Sequence, residues 1–153
     1  MNIIKGDLIK LALDGEFDII VHGCNCFNTM GAGIAKQIAY NFPKAEEVDS
    51  ATMSGSIQKL GCFTMASTDK LLIINAYTQY ETAKKGEDVF EYDAFSLILR
   101  KLRSQFTNSR YGFPLIGMGL AGGDKERIMK ILEDFANKVE SNGGSVTIVE
   151  WDK

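Results

Sequence analysis

The chain has 153 residues, enough for one domain with a substantial core. Hydrophobic residues make up 45% and charged residues 24%, the balance of an ordinary globular protein rather than of a fibrous or disordered one. A formal net charge of −3 argues against a nucleic-acid coat or a membrane-surface protein, although a local basic patch can hide in such a sum.

The three cysteines, Cys24, Cys26 and Cys62, are odd in number and do not read as a disulfide framework. With no C-x-x-C pair and a single histidine they do not read as a zinc site either. Free thiols suggest a reducing compartment, and a cytoplasmic location is expected. The first seven residues are short for a signal peptide and carry Asp7, so none is expected. No apolar run approaches the ~18 residues that a membrane span needs. No linker, low-complexity tract or repeat interrupts the chain, which reads as a single domain over 1–153.

In chain order, residues 2–5 are a short strand closed by Gly6-Asp7, and Asp7 has the character of an N-cap for a short helix. Residues 17–21 form a continuous apolar, β-branched run, the mark of a strand buried on both faces. The strand is expected to give way at His22, Gly23, Cys24 and Asn25. A glycine-rich turn follows (Gly31, Ala32, Gly33) and opens a helix over 33–42 with Ile34, Ile38 and Phe42 on one face. Pro43 breaks that helix, and 44–53 reads as a second short one. Residues 60–66 and 71–76, joined by a turn at 67–70, predict an antiparallel hairpin. The polar stretch 80–88, with Lys84 and Lys85, reads as a loop.

The strongest helical pattern covers 89–106, with Phe95, Leu99, Leu102 and Phe106 along one side. Residues 111–117 read as a strand despite Pro114, which implies a sheet edge or a strand start. A second glycine-rich turn covers 117–123 and leads into a helix over 124–140 with Ile128, Ile131, Leu132 and Phe135 inward. Asn142-Gly143-Gly144 ends that helix, and 146–150 is the last strand. The order β-α-β-α-α-β-β-α-β-α-β predicts helices on both faces of a mixed, mainly parallel sheet.

Right-handed crossovers would bring both glycine turns to one sheet edge. Such turns let backbone N–H groups approach an anion, assisted by a helix dipole. Two of them in one crevice suggest a ligand with more than one phosphate, or with a phosphate and a ribose. The dinucleotide fingerprint, the P-loop and the G-x-S-x-G elbow are all absent.

These residues resemble one family over nearly the whole chain, the macro domains, three-layer α/β/α modules that bind ADP-ribose. Lys5-Gly6-Asp7-Leu8 resembles its N-terminal motif. Residues 17–25 followed by 30–35 resemble its strand, asparagine and glycine loop. Residues 114–122 resemble its second loop, and 146–149 its final strand. The HGCNC-x₄-GAGIA arrangement is most similar to the small stand-alone members, which include ADP-ribose-1″-phosphate phosphatases and terminal ADP-ribose–protein glycohydrolases.

By position, the resemblance implies that Asp7 and the Leu8 backbone meet the adenine. It also implies that Asn25 binds the distal ribose, and that Gly31, Ala32, Gly33 and Ile34 wrap a phosphate. Gly117, Met118, Gly119, Leu120, Ala121 and Gly122 would close over the diphosphate. No metal and no cofactor are implied. Tyr77, Tyr80 and Trp151 are candidates to cover the base.

The glycohydrolase branch uses a lysine and an aspartate where this chain has Gln79 and Ala121, and neither can attack or move a proton. Lys84 and Lys85 lie five and six residues later and could in principle reach in, but two adjacent lysines in a polar loop are usually solvated. The phosphatase branch resembles the chain better, with His22 as the candidate catalytic residue. Asp124 reads as an N-cap, and Cys24 and Cys26 as small buried thiols. The expectation is a hydrolase that removes the 1″-phosphate from ADP-ribose-1″-phosphate. The alternatives are a non-catalytic ADP-ribose reader and an ADP-ribosyl hydrolase. A membrane partner is not expected, and nucleic acid is expected only as a modified substrate.

Overall fold

Strand β2 (Ile19–Cys24) forms the centre of the molecule, and its sequence explains why. It is buried along almost its whole length, so it needs sheet neighbours on both edges and helices on both faces. The computed structural model describes residues 1–82 and 86–151. It supplies those neighbours in a six-stranded sheet of order β1-β6-β5-β2-β4-β3. The other strands are β1 (Asn2–Gly6), β3 (Phe63–Ser67), β4 (Leu72–Tyr77), β5 (Arg110–Phe113) and β6 (Ser145–Trp151). Every neighbouring pair is parallel except β3–β4, the expected antiparallel hairpin.

The helices divide by the alternation of the strands they cover. Ile20 of β2 packs with Leu8 and Ile9 of α1 (Leu8–Leu13), Ile38 of α2 (Gly33–Asn41) and Ala45 of α3 (Pro43–Ser50). Ile19 and Val21 face the other way. They join Phe95 and Leu102 of α4 (Tyr92–Gln105) and Ile128, Leu132 and Phe135 of α5 (Lys125–Ser141). The result is the three-layer α/β/α arrangement with a mixed, mainly parallel sheet that the sequence predicts.

Four of the boundaries that differ from expectation have a plain physical cause. Strand β2 runs on through His22, Gly23 and Cys24, because β4 pairs with it all the way from Ile19↔Leu72 to Cys24↔Tyr77. Pro43 does not merely end α2; it occupies the first turn of α3, where its missing N–H is no loss. Strand β5 stops at Phe113, so Pro114 lies beyond it, and β5 is an interior strand rather than an edge. Helix α4 begins only at Tyr92, since the preceding Phe90 makes an isolated bridge to Gln79.

The α5 layer rests on an aromatic cluster. The ring of Phe135 meets Tyr111 edge-on at 5.0 Å and Phe113 at 5.9 Å. Phe135→Ala removes the ring between β5 and the helix and leaves a cavity. The expected loss is about 3–5 kcal/mol in urea denaturation. A loss below about 1 kcal/mol would show that this layer does not depend on the cluster.

Candidate functional site

Strands β2 and β5 are neighbours, but their pairing covers only Ile19↔Tyr111 and Ile20↔Gly112. Beyond that the two chains go to opposite faces, β2 towards α2 and β5 towards α5. A crevice must open where adjacent parallel strands part in this way. The crevice here is a cleft of about 650 Å³. Its floor comes from the end of β2 (Gly23, Cys24, Asn25). One wall is the first glycine loop with Thr29, Gly31, Ala32 and the start of α2 at Gly33, Ile34 and Ala35. The other wall is the chain after β5, from Pro114 to Gly117 with Gly119, Leu120 and Ala121. Gln79 and Thr82, following β4, close one side.

The glycines sort into two kinds. A Cβ added at Gly31, Gly33 or Gly119 would meet no atom within 4 Å, so these residues leave space in the cleft. A Cβ at Gly122, which has φ +70°, would lie 2.2 Å from the Glu87 carbonyl oxygen, and one at Gly117 would lie 2.5 Å from the Phe90 ring. These two are required by packing and turn geometry. Gly23 belongs with them, since its Cβ would press within 2.8 Å of Thr78 Oγ1.

Among the described residues, no lining residue carries a charge. What the cleft offers an anion is backbone. The N-cap of helix α2 is Ala32, which gives no side-chain hydrogen bond, so the N–H groups of the first turn lack a side-chain partner. They carry the positive end of the helix dipole to the wall at Gly33, Ile34 and Ala35. Asn25 lines the floor, and its amide is already oriented. Its Oδ1 accepts from Phe27 N–H at 2.8 Å, and its Nδ2 donates to Thr29 Oγ1 at 2.7 Å.

Several residues expected at the site lie elsewhere. Asp7 caps α1, accepting from the N–H groups of Ile9 and Lys10, and neither it nor the buried Leu8 lines the cleft. Met118 packs against the α4–α5 core. Gly122 is exposed but does not line the cleft; it packs closely against the Glu87 carbonyl. Tyr77 is buried and donates to Asp49 Oδ1 at 2.7 Å, which removes it as a cover for a base. Tyr80 hydrogen-bonds to the Gly55 carbonyl. Trp151 is exposed beside Gly6, next to Asp7. Asp124 is a helix cap, as expected. Lys84 and Lys85 lie outside the described residues.

His22 is the most consequential of these. It is fully buried and points to the α3 side of the sheet, not into the cleft. The register places it beside Asn75 of β4, and the ring Nε2 lies 2.6 Å from Asn75 Oδ1. Asn75 Nδ2 donates to Ala45 O at 2.9 Å and Thr64 Oγ1 at 3.0 Å, which fixes Oδ1 as an acceptor and Nε2 as a donor. Burial pulls the imidazole from its usual 6.5 down to about 4, against the pull of the Asn75 hydrogen bond and the Asp49 charge. Cys24 Sγ lies 3.8 Å from Nδ1, and burial pushes that thiol well above its usual range. The two form a neutral thiol–imidazole contact rather than an activated nucleophile. The sequence carried a sign of this network in Asn75, a polar residue in the apolar run LLIINA. It gave no sign of Thr29 or Thr82 in the cleft.

His22 has a folded pKa below its unfolded one, so the unfolded chain binds the extra proton. The stability from this group is fully present above about pH 6.5 and is lost as the pH falls from there towards 4. The loss is on the order of 3 kcal/mol, at about 1.4 kcal/mol per pKa unit. Urea denaturation across this window should show the slope in the wild type and a reduced slope in His22→Gln. Equal slopes would refute the assignment.

No family model matches the chain. Over 97% of its length it is 34% identical to an uncharacterized 17.5 kDa protein in the tk-vs intergenic region of Enterobacteria phage T4, covering 95% of that protein. Over 66% of its length it is 31% identical to the ADP-ribose 1″-phosphate phosphatase of Saccharomyces cerevisiae strain YJM789, of which it spans 59%. Among solved structures, a Bacteroides thetaiotaomicron protein of unknown function superposes with a TM-score of 0.79 at 25% identity, covering 97% of this chain and 96% of that one. The macrodomain of Mycobacterium tuberculosis DarG superposes with a TM-score of 0.72 at 21% identity, with 97% and 98% covered. Thermosipho africanus DarTG in complex with ADP-ribose superposes with a TM-score of 0.73 at 16% identity over 98% of this chain and 42% of that one. The chain is a macrodomain by fold, and it belongs to one family with the 17.5 kDa protein of phage T4.

Proposed function

We propose that the cleft binds ADP-ribose and that the protein removes the terminal phosphate from ADP-ribose-1″-phosphate. One observation carries the binding: two loops with open glycines, and the N–H groups of the α2 start, converge on a cleft whose described walls are uncharged. That surface suits a diphosphate held by backbone donors, with Asn25 available to a ribose hydroxyl. The ADP-ribose complex of the Thermosipho africanus protein, which shares the fold, supports the ligand class. The likeness to the yeast phosphatase supports the reaction.

The neutral cleft is compatible with this chemistry. Phosphoryl transfer through a loose transition state relies chiefly on positioning and charge stabilisation, and less on a strong base. Here the charge developing on the phosphoryl oxygens would be met by the loop and α2 N–H groups, and Asn25 and Thr29 would orient the sugar. His22 would support the floor through Cys24 without taking a proton from water. Alanine at 121 and glutamine at 79 leave the lysine–aspartate glycohydrolase route without its reacting groups.

Calorimetry with ADP-ribose and phosphate release from the 1″-phosphate ester test the two parts separately. Wild type should bind ADP-ribose and release phosphate. Gly119→Asp, which places a carboxylate in open cleft space, should weaken binding at least about tenfold, the equivalent of roughly 1.4 kcal/mol of repulsion. Binding without release would make the protein a reader, and absence of binding would overturn the assignment.

The pH profile then tests His22. Phosphate release should show no acid limb near pH 6.5, because the buried imidazole stays neutral down to about 4. A limb near 6.5 that disappears in His22→Gln would restore His22 as the base.

A further inference from the structure

Beneath the loop that carries Asn25 lies a lysine that the cleft itself does not use. Lys59 ends the 3₁₀ turn Ile57–Lys59 and is buried, an unusual place for an ammonium group. Its Nζ donates to the Cys26 carbonyl at 3.0 Å and to Asn28 Oδ1 at 2.5 Å, and stands 4.7 Å from the centre of the Tyr77 ring. Both acceptors belong to the short segment between Asn25 and Thr29, the two residues of this loop whose side chains meet at the cleft.

The far end of the segment is held as firmly. Asn28 is the one non-glycine residue with a positive φ, 59°, among the described residues. Its Nδ2 donates to Thr52 O at 2.8 Å, and its Oδ1 receives Thr52 Oγ1 at 3.0 Å in addition to Lys59. The single Thr52 hydroxyl proton is shared between this contact and Asp49 O, 2.6 Å away at the end of α3.

The connection to Asn25 runs through one peptide group. The Cys26 carbonyl that Lys59 binds shares its peptide with Phe27 N–H, and that N–H donates to Asn25 Oδ1. A cation on the carbonyl polarises the peptide and strengthens donation at its other end. Asn25 Oδ1 is thereby held by one hydrogen bond, with its second lone pair left for a ligand hydroxyl.

We infer that Lys59 is a positioning residue: it fixes the Asn25 amide through the Cys26–Phe27 peptide, so that this end of the cleft selects ligands bearing a sugar beyond the diphosphate. The inference rests on the proposed reading of the cleft as an ADP-ribose site. Lys59 touches no ligand in it and acts only through Asn25.

The test compares ADP-ribose with ADP, which lacks the second sugar, by calorimetry on wild type, Lys59→Met and Asn28→Gly. Glycine at 28 keeps the left-handed backbone and removes the side chain that Lys59 binds. Lys59→Met should weaken ADP-ribose about tenfold, one charge-assisted hydrogen bond's worth, and ADP less than about twofold. Asn28→Gly should show the same selective loss to a smaller degree, and it carries the test if Lys59→Met fails to fold. Equal losses for both ligands, or none, overturn the inference. The side-chain amide resonances of Asn25, followed by NMR without ligand, separate the two readings. Unchanged resonances in both variants overturn the Lys59 inference even if ADP-ribose binds, whereas altered resonances with no ADP-ribose binding to wild type locate the failure in the proposed function.

Discussion

The parting of β2 from β5 is the constraint on which the rest of this structure depends. Neighbouring parallel strands often send their following chains to the same face of the sheet; β2 and β5 instead part to opposite faces after two paired residues. Everything at the cleft follows from that geometry. The loop into α2 becomes one wall, the loop towards α5 becomes the other, and the end of β2 becomes the floor. Residues that fill the gap must be small, or they would close it. The open positions at Gly31, Gly33 and Gly119 meet that demand, and the tightly packed Gly117 and Gly122 hold the second loop in place.

The electrostatics are divided by the sheet. Among the described residues the cleft walls are uncharged, while a buried polar network lies on the α3 side, beneath the floor. His22, Asn75, Thr64, Tyr77 and Asp49 form a buried hydrogen-bonded chain, and Lys59 stands over the Tyr77 ring beside it. Buried polar groups are tolerable only when their partners are present, and satisfied networks of this kind specify one packing. The division has a chemical meaning. An anion in the cleft meets fixed dipoles that need no reorganisation, while His22 is kept away from it and burial holds the Cys24 thiol in its neutral form. His22 is the clearest case, since burial that makes it rigid also removes its usefulness as a base near neutral pH.

Much of the fold was legible in the residues. The continuous apolar run at 17–21 demanded a doubly covered strand, and the alternation of strands with helices demanded an α/β/α stack. Boundaries were less legible, for physical reasons that differ from place to place. The end of β2 was hidden because His22, Gly23 and Cys24 are poor strand formers individually, and only the long pairing with β4 holds them extended. Pro114 was misplaced because a proline next to an apolar run looks the same whether the strand ends before it or starts on it. The cleft was legible through its glycines and Asn25, which are local signals. Thr29 and Lys59 were not, since their contribution depends on contacts with residues from 4 to 33 positions away.

The sequence by itself determined the layers, the positions of both glycine turns and the resemblance to macro domains, because these rest on periodicity and on short runs of small residues. Only the tertiary structure decided which of the expected site residues share the cleft. Asp7, Leu8, Met118 and Gly122 fall outside it, and His22 lies on the opposite face of β2 from Gly23. The physical reason is the two-residue period of a strand. His22 and Asn25 are three positions apart in the chain, yet the pleat turns His22 under the sheet, where the register with β4 sets Asn75 beside it.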